Sequence, residues 1–125
     1  MPWNQSLIEE CAQLAHEMSR AYCRALDDDT QVPWDDAPEW QKESVRAGVV
    51  EKLDNPDMTP EQTHEKWVAY KGAEGWSYGP KKDPDRKEHP CLVTYEELPP
   101  EQKAKDYLFV AAVEQGCRIW RERQR

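Results

Sequence analysis

Residues 55–80 read NPDMTPEQTHEKWVAYKGAEGWSYGP, and this stretch holds the end of one helix and both boundaries of the next. Asn55 and Pro56 close the preceding helix, because proline lacks the amide hydrogen that a further turn would need. Thr59, Pro60 and Gln62 then form a capping-box-like start, with proline at a position where no intrahelical hydrogen bond is lost. The spacing predicts a third helix reaching about Ala73, with Gly72 and Gly75 supplying its stop.

Upstream, Asp36 precedes Ala37 and Pro38, so a second helix is expected from Pro38 to about Leu53, with Val45, Val49 and Leu53 on its inner face. Further back, Leu7, Cys11, Leu14, Met18, Ala21 or Tyr22, and Ala25 alternate four and three apart. That is one stripe of a first helix from Asn4 to about Leu26. Asp27, Asp28 and Asp29 oppose the negative end of its dipole and mark the exit to a loop carrying Pro33 and Trp34.

Downstream, Gly79, Pro80, Pro84 and Pro90 exclude a long helix between Trp76 and Tyr95. They leave an ordered loop with two short strands, expected at Trp76 to Tyr78 and at Cys91 to Thr94. From Pro100 to about Arg123 the pattern is helical again. Leu108, Ala111, Ala112 and Ile119 lie on one face, and Phe109, Val113, Cys117 and Trp120 on another. Such a helix is central to the core or covered by a partner. The expected fold is mainly α with short β-strands: about four helices around an ordered Trp- and Pro-rich loop, in one domain over residues 1–125.

At 125 residues the chain can bury one modest core. Hydrophobic residues make up only 38%, but 6 Trp and 5 Tyr supply the large apolar faces of an ordered globule. The net charge of -8 repels a phosphate backbone, so DNA and RNA are not expected partners. Met1 to Ala12 has neither a basic start nor a continuous apolar run, so no signal peptide or membrane span is expected and the reading is cytoplasmic. Cys11, Cys23, Cys91 and Cys117 are widely scattered, as suits reduced, mostly buried thiols.

Most catalytic signatures are absent. There is no Gly-rich phosphate loop and no Gly-x-Ser-x-Gly elbow, and after His64-Glu65 the second histidine of a zinc protease motif is missing. Cys91 lies two residues after His89, which permits a nucleophile pair or a buried structural thiol. No further pair has zinc-ligand spacing, so neither a metal nor another cofactor is expected.

The charge balance reverses between His64 and His89. Six basic residues (Lys66, Lys71, Lys81, Lys82, Arg86, Lys87) face five acidic ones there, giving +1 against -9 for the remainder. Trp67, Trp76 and Tyr78 lie in the same stretch, and aromatic faces beside cations can stack a ring while pairing a phosphate. The same composition also suits core packing beneath a solvated loop, since large aromatics usually serve burial.

The same stretch closely resembles the ryanodine receptor repeat (RyR) domain, found in tandem in animal calcium-release channels and singly in bacterial and phage proteins. The residues carrying the resemblance are His64-Glu65-Lys66-Trp67, Gly75-Trp76-Ser77-Tyr78-Gly79-Pro80, Lys82-Asp83 and His89-Pro90-Cys91-Leu92-Val93. Tyr95 to Pro99 and Lys105-Asp106-Tyr107 continue it. Upstream, Ala21-Tyr22-Cys23, Pro33-Trp34, Ala37-Pro38-Glu39-Trp40 and Asn55-Pro56-Asp57 are similar to the single-repeat microbial type, extending the likeness over roughly residues 10–109.

The resemblance implies a helical domain with short strands, and a lone repeat that could pair as a homodimer, with the doubly apolar last helix and Trp120 as candidate contacts. It further implies an adenine-nucleotide site in which Trp67 stacks on the base, and it supplies no catalytic residues. The expected function is non-enzymatic binding of an adenine nucleotide or nucleotide-derived second messenger, for sensing or sequestration. Lys71, Lys82 and Arg86 are the candidate phosphate partners, and His64, Tyr78, Asp83 and His89 the candidate hydrogen-bonding groups; Trp76 either stacks or packs. Asp83 and His89 could instead pin the irregular loop. The rival readings are a scaffold that binds another polypeptide, a nucleotide hydrolase, and an acidic DNA mimic.

Overall fold

A computed structural model describes residues 3–125; Met1 and Pro2, the first residues of the expected domain, lie outside the described residues. Four helices, α1 (Gln5–Ala25), α2 (Glu39–Asp54), α3 (Pro60–Ala73) and α4 (Pro100–Arg123), account for most of them. Two-residue strands β1 (Ser77–Tyr78) and β2 (Glu88–His89) pair in parallel within the loop between α3 and α4. No helix among the described residues is long and apolar enough to cross a membrane.

Local chemistry explains the boundaries. The Asn4 side chain accepts from the amides of Ser6 and Leu7 to open α1, and Thr59 and Gln62 form a complete capping box on α3. Both helices end in the same paired hydrogen-bond motif. At α1, Asp27 stands at φ 64°, with the Asp28 amide on Cys23 and its own on Arg24. At α3, Gly75 stands at φ 89°, with the Trp76 amide on Lys71 and its own on Gly72. These left-handed residues satisfy carbonyls that the helix leaves open. The second stop folds Trp76 back over Lys71.

The core joins α1, α2 and α4 through Leu7, Ile8, Cys11, Ala12, Val49, Leu53, Val113 and Cys117, with Trp34 of the preceding loop. α1 and α4 approach so closely that a Cβ on Gly116 would lie 2.8 Å from the Cys11 sulfur. The buried stripe of α1 continues through Ala15 and His16, where Leu14 and Met18 were expected, because the chain entering Trp34 covers that side. Trp120 is not the exposed contact residue that the sequence suggested: it is partly buried and packs on the core, while Ile119 is 45% exposed. Cys11, Cys23 and Cys117 are buried and Cys91 is half-buried, all as free thiols.

The second strand differs from expectation. It forms at Glu88–His89, and Cys91 to Thr94 is irregular. A tight reversal explains the shift: Asp83 and Glu88 exchange both backbone hydrogen bonds, and the Asp83 carboxylate accepts the amides of Asp85 and Arg86. Lys87 at φ 55° completes the turn and brings Glu88 beside Ser77. Gly79 allows this approach, since a Cβ there would meet Glu88 Cβ at 2.6 Å.

Candidate functional site

A cleft of about 560 Å³ opens where α2, α3, the β1–β2 loop and the first half of α4 converge. Six of the nine residues singled out from sequence line it: His64, Trp67, Lys71, Trp76, Lys82 and His89. Tyr78 is 59% exposed and lines a separate depression beside Pro90 and Glu97. Asp83 and Arg86 also lie outside the cleft, Asp83 acting as the clasp of the loop and Arg86 standing exposed beside it.

Lys71 is the most unusual member. It is 6% exposed, yet it forms neither a hydrogen bond nor an ion pair among the described residues. Its ammonium instead sits 4.8 Å from the Trp76 ring centre and 5.0 Å from that of Trp40, and the two indoles lie 5.5 Å apart. Indole faces attract a cation but do not replace its water shell. Burial, reinforced by Lys82, therefore pushes the Lys71 amine down to about 8.

Lys82 and Lys105 join it at the cleft. Lys82 keeps solvent access, but the surrounding protein and then Lys105 hold its pKa below the ordinary lysine value. Burial, followed by the charges of Lys82, Lys105 and Lys71, pushes His89 down to about 4. Its Nδ1 accepts the Cys91 amide at 3.0 Å, so the neutral ring carries its proton on Nε2. Among the described residues the lysine–carboxylate ion pairs are Lys52 with Glu114 and Lys66 with Glu51. Lys71, Lys82 and Lys105 are thus three cations gathered without a carboxylate in contact.

Trp67 stands between two imidazoles, with His64 tilted at 5.7 Å and His89 edge-on at 5.1 Å. His64 is buried, and its Nε2 donates to the Val93 carbonyl at 2.7 Å, so that nitrogen is committed to the protein. Its Nδ1 faces Asp106 at 3.8 Å. Cys91 and His89 do not form a nucleophile pair, because the Cys91 thiol donates to the Gln102 side chain and burial pushes its pKa up.

Sequence reasoning left Trp40, Lys105 and Asp106 without a role. Both Trp40 and the Lys105-Asp106 pair lie in motifs quoted for the resemblance, which was the one signal available. Trp40 reaches the cleft from the first turn of α2, and the Lys–Asp pair from the second turn of α4.

An aromatic cleft with an unpaired cationic cluster on a small helical scaffold defines a binding module. The family model of the RyR domain matches residues 49–114, more than half of the 125-residue chain, and the chain belongs to that family of ligand- or protein-binding modules. The matched span holds Trp67, Lys71, Trp76, Lys82, His89, Lys105 and Asp106; the upstream motifs from Ala21 to Trp40 fall outside it.

Proposed function

We propose that the cleft binds an adenine nucleotide or a nucleotide-derived second messenger without turning it over, as a sensor or sequestering protein. The observation that carries this reading is the meeting of Lys71, Lys82 and Lys105, free of carboxylate contacts, with Trp67, Trp40 and Trp76 in a protein of net charge -8. Gathered cations repel one another and cost folding energy, a cost that an anionic ligand offsets. The anionic groups lie on the lysines, the base lies on the exposed part of Trp67, and the Nε2 proton of His89 is a donor toward the ligand. The acidic surface elsewhere disfavours DNA and RNA.

Calorimetric titration with ATP, ADP-ribose, cyclic AMP and cyclic dinucleotides tests the reading, with Trp67→Ala and Lys82→Ala/Lys105→Ala as folded controls. Saturable binding lost in both variants supports it. A folded sample that binds none of the panel sinks it and turns the search to polypeptide partners. Analytical ultracentrifugation of the same samples tests the homodimer.

A further inference from the structure

Lys71 is a buried amine whose hydrogens meet no acceptor among the described residues. The chain's other lysines near it in sequence or burial are committed. Lys52 donates to the carbonyls of Pro56 and Met58 and faces Glu114, Lys87 closes onto the Glu74 carbonyl, and Lys66 faces Glu51. Lys71, on the last turn of α3, instead lines the cleft with its nitrogen 4.8 Å from the Trp76 ring centre and 5.0 Å from that of Trp40. Trp40 is 41% exposed, so this aromatic slot reaches solvent on the α2 side.

That setting suits a free amine better than an ammonium. The indole walls withhold the water and acceptors that an ammonium needs, and Lys82 and Lys87 add like charge from the following loop, against Glu74 at the end of the same helix. With the amine held down at about 8, a share of it is unprotonated near neutral pH. An uncommitted lysine in an apolar pocket beside other cations is the usual arrangement of a lysine that attacks carbonyls.

We propose that Lys71 captures a phosphate-bearing aldehyde in the cleft as a reversible imine, with Lys82 and Lys105 receiving the phosphate. The amine nitrogen adds to the carbonyl carbon, and the resulting carbinolamine loses water as the C=N bond forms. Both amine hydrogens leave with the former carbonyl oxygen. R–CHO and Lys–NH2 thus give R–CH=N–Lys and H2O, with no oxidant, reductant or further reactant. A planar C=N stacks on indole, and when protonated it keeps the positive charge that the ring faces attract. The phosphate follows from the neighbours, since Lys82 and Lys105 line the same cleft and can form charge-assisted hydrogen bonds to it. The capture needs these lysines but no adenine, so it goes beyond the nucleotide reading and does not depend on it.

The probe is pyridoxal 5′-phosphate, whose imine absorbs apart from the free aldehyde, with pyridoxal as the phosphate-free comparison. Wild type, Lys71→Arg, Lys71→Met and Lys82→Ala/Lys105→Ala are titrated by absorbance. The imine is then fixed with borohydride as a secondary amine and located by peptide mass spectrometry. Wild type at equimolar probe is expected to carry the adduct on Lys71, with an affinity at least about tenfold above that for pyridoxal. Lys71→Arg and Lys71→Met lose the imine, and Lys82→Ala/Lys105→Ala weakens capture at least about tenfold. Adduct scattered over exposed lysines, adduct concentrated on Lys82 or Lys105, equal affinity for pyridoxal, or a full imine signal in folded Lys71→Arg overturns the inference. Should both Lys71 variants fail to fold, the peptide map and the pyridoxal comparison on wild type still decide. Nucleotide binding without an imine overturns this inference alone, whereas an imine on Lys71 in a protein that binds no adenine nucleotide upholds it and overturns the nucleotide reading.

Discussion

Lys52 and Lys71 are both buried lysines on neighbouring helices, and the protein treats them in opposite ways. Lys52, 3% exposed, pairs with Glu114 at 3.4 Å and donates to the carbonyls of Pro56 and Met58. Lys71, 6% exposed, has two indoles and no acceptor. The first is answered from within the chain, and it ties the end of α2 to α4. The second belongs to a region where the chain gathers charge and leaves it unanswered. Under the proposed function, that contrast separates the part of the molecule built for stability from the part that would meet a ligand.

The sharpest way to break this contrast uses two tryptophans. Trp34 is 4% exposed, donates to Glu9 and packs in the core, so Trp34→Ala is expected to cost about 3–5 kcal/mol in urea denaturation. Trp67→Ala is expected to cost far less and to remove nucleotide binding; equal stability losses would erase the distinction. The lysines come next. Lys52→Met strips the donor from two carbonyls and is expected to destabilise by about 2 kcal/mol. Lys71→Met relieves an unanswered charge and is expected to raise stability by about 1 kcal/mol while weakening nucleotide binding at least about tenfold. A loss of stability at Lys71 comparable to that at Lys52 would show that it too is structural.

Gly79→Ala probes the link between the regions. The added methyl meets Glu88 and must push β2 away from β1, at a cost of about 1–2 kcal/mol, and His89 moves with it. Thermal melts should register the cost, and nucleotide affinity should fall in parallel. The smallest effect is on pH dependence. His89 titrates near 6.5 when unfolded and about 4 when folded, so the unfolded chain binds the extra proton and stability falls as pH drops from about 6.5 to about 4. Asp106 acts oppositely: raised from 3.8 to about 7, it contributes stability below about 4 that is lost as pH rises to about 7. The two windows overlap and the slopes oppose, so melting temperature should change little between about pH 4 and about 6.5 in wild type and rise clearly with pH over that range in Asp106→Asn.

The helices were legible because their boundaries are local chemistry. Thr59 with Gln62, Pro60, Pro100 and Gly75 carry their instructions within a few residues, and α3 and α4 start where those residues place them. The strand at Glu88–His89 was not legible, because its pairing depends on the Asp83 clasp and on the bare Cα of Gly79, which the β-propensity of Cys91 to Thr94 obscured. The site divides in the same way. Trp67, Lys71 and Trp76 announce themselves by crowding aromatics and cations into one short segment. Trp40, Lys105 and Asp106 come from helices distant in sequence, where a tryptophan near a helix start and a Lys–Asp pair read as ordinary surface. Only tertiary packing brings them to the same wall.

The tilted Trp40–Trp76 pair, at 5.5 Å and 42°, has an optical consequence. Two indole transition dipoles held that close and out of parallel couple, and coupled chromophores give a paired positive and negative band in circular dichroism. One ring rides on α2 and the other on the turn that ends α3, so the band measures the spacing of those two elements without any label. A molecule that slips between the rings, or a shift of the β1–β2 loop, would be read directly as a change in its amplitude.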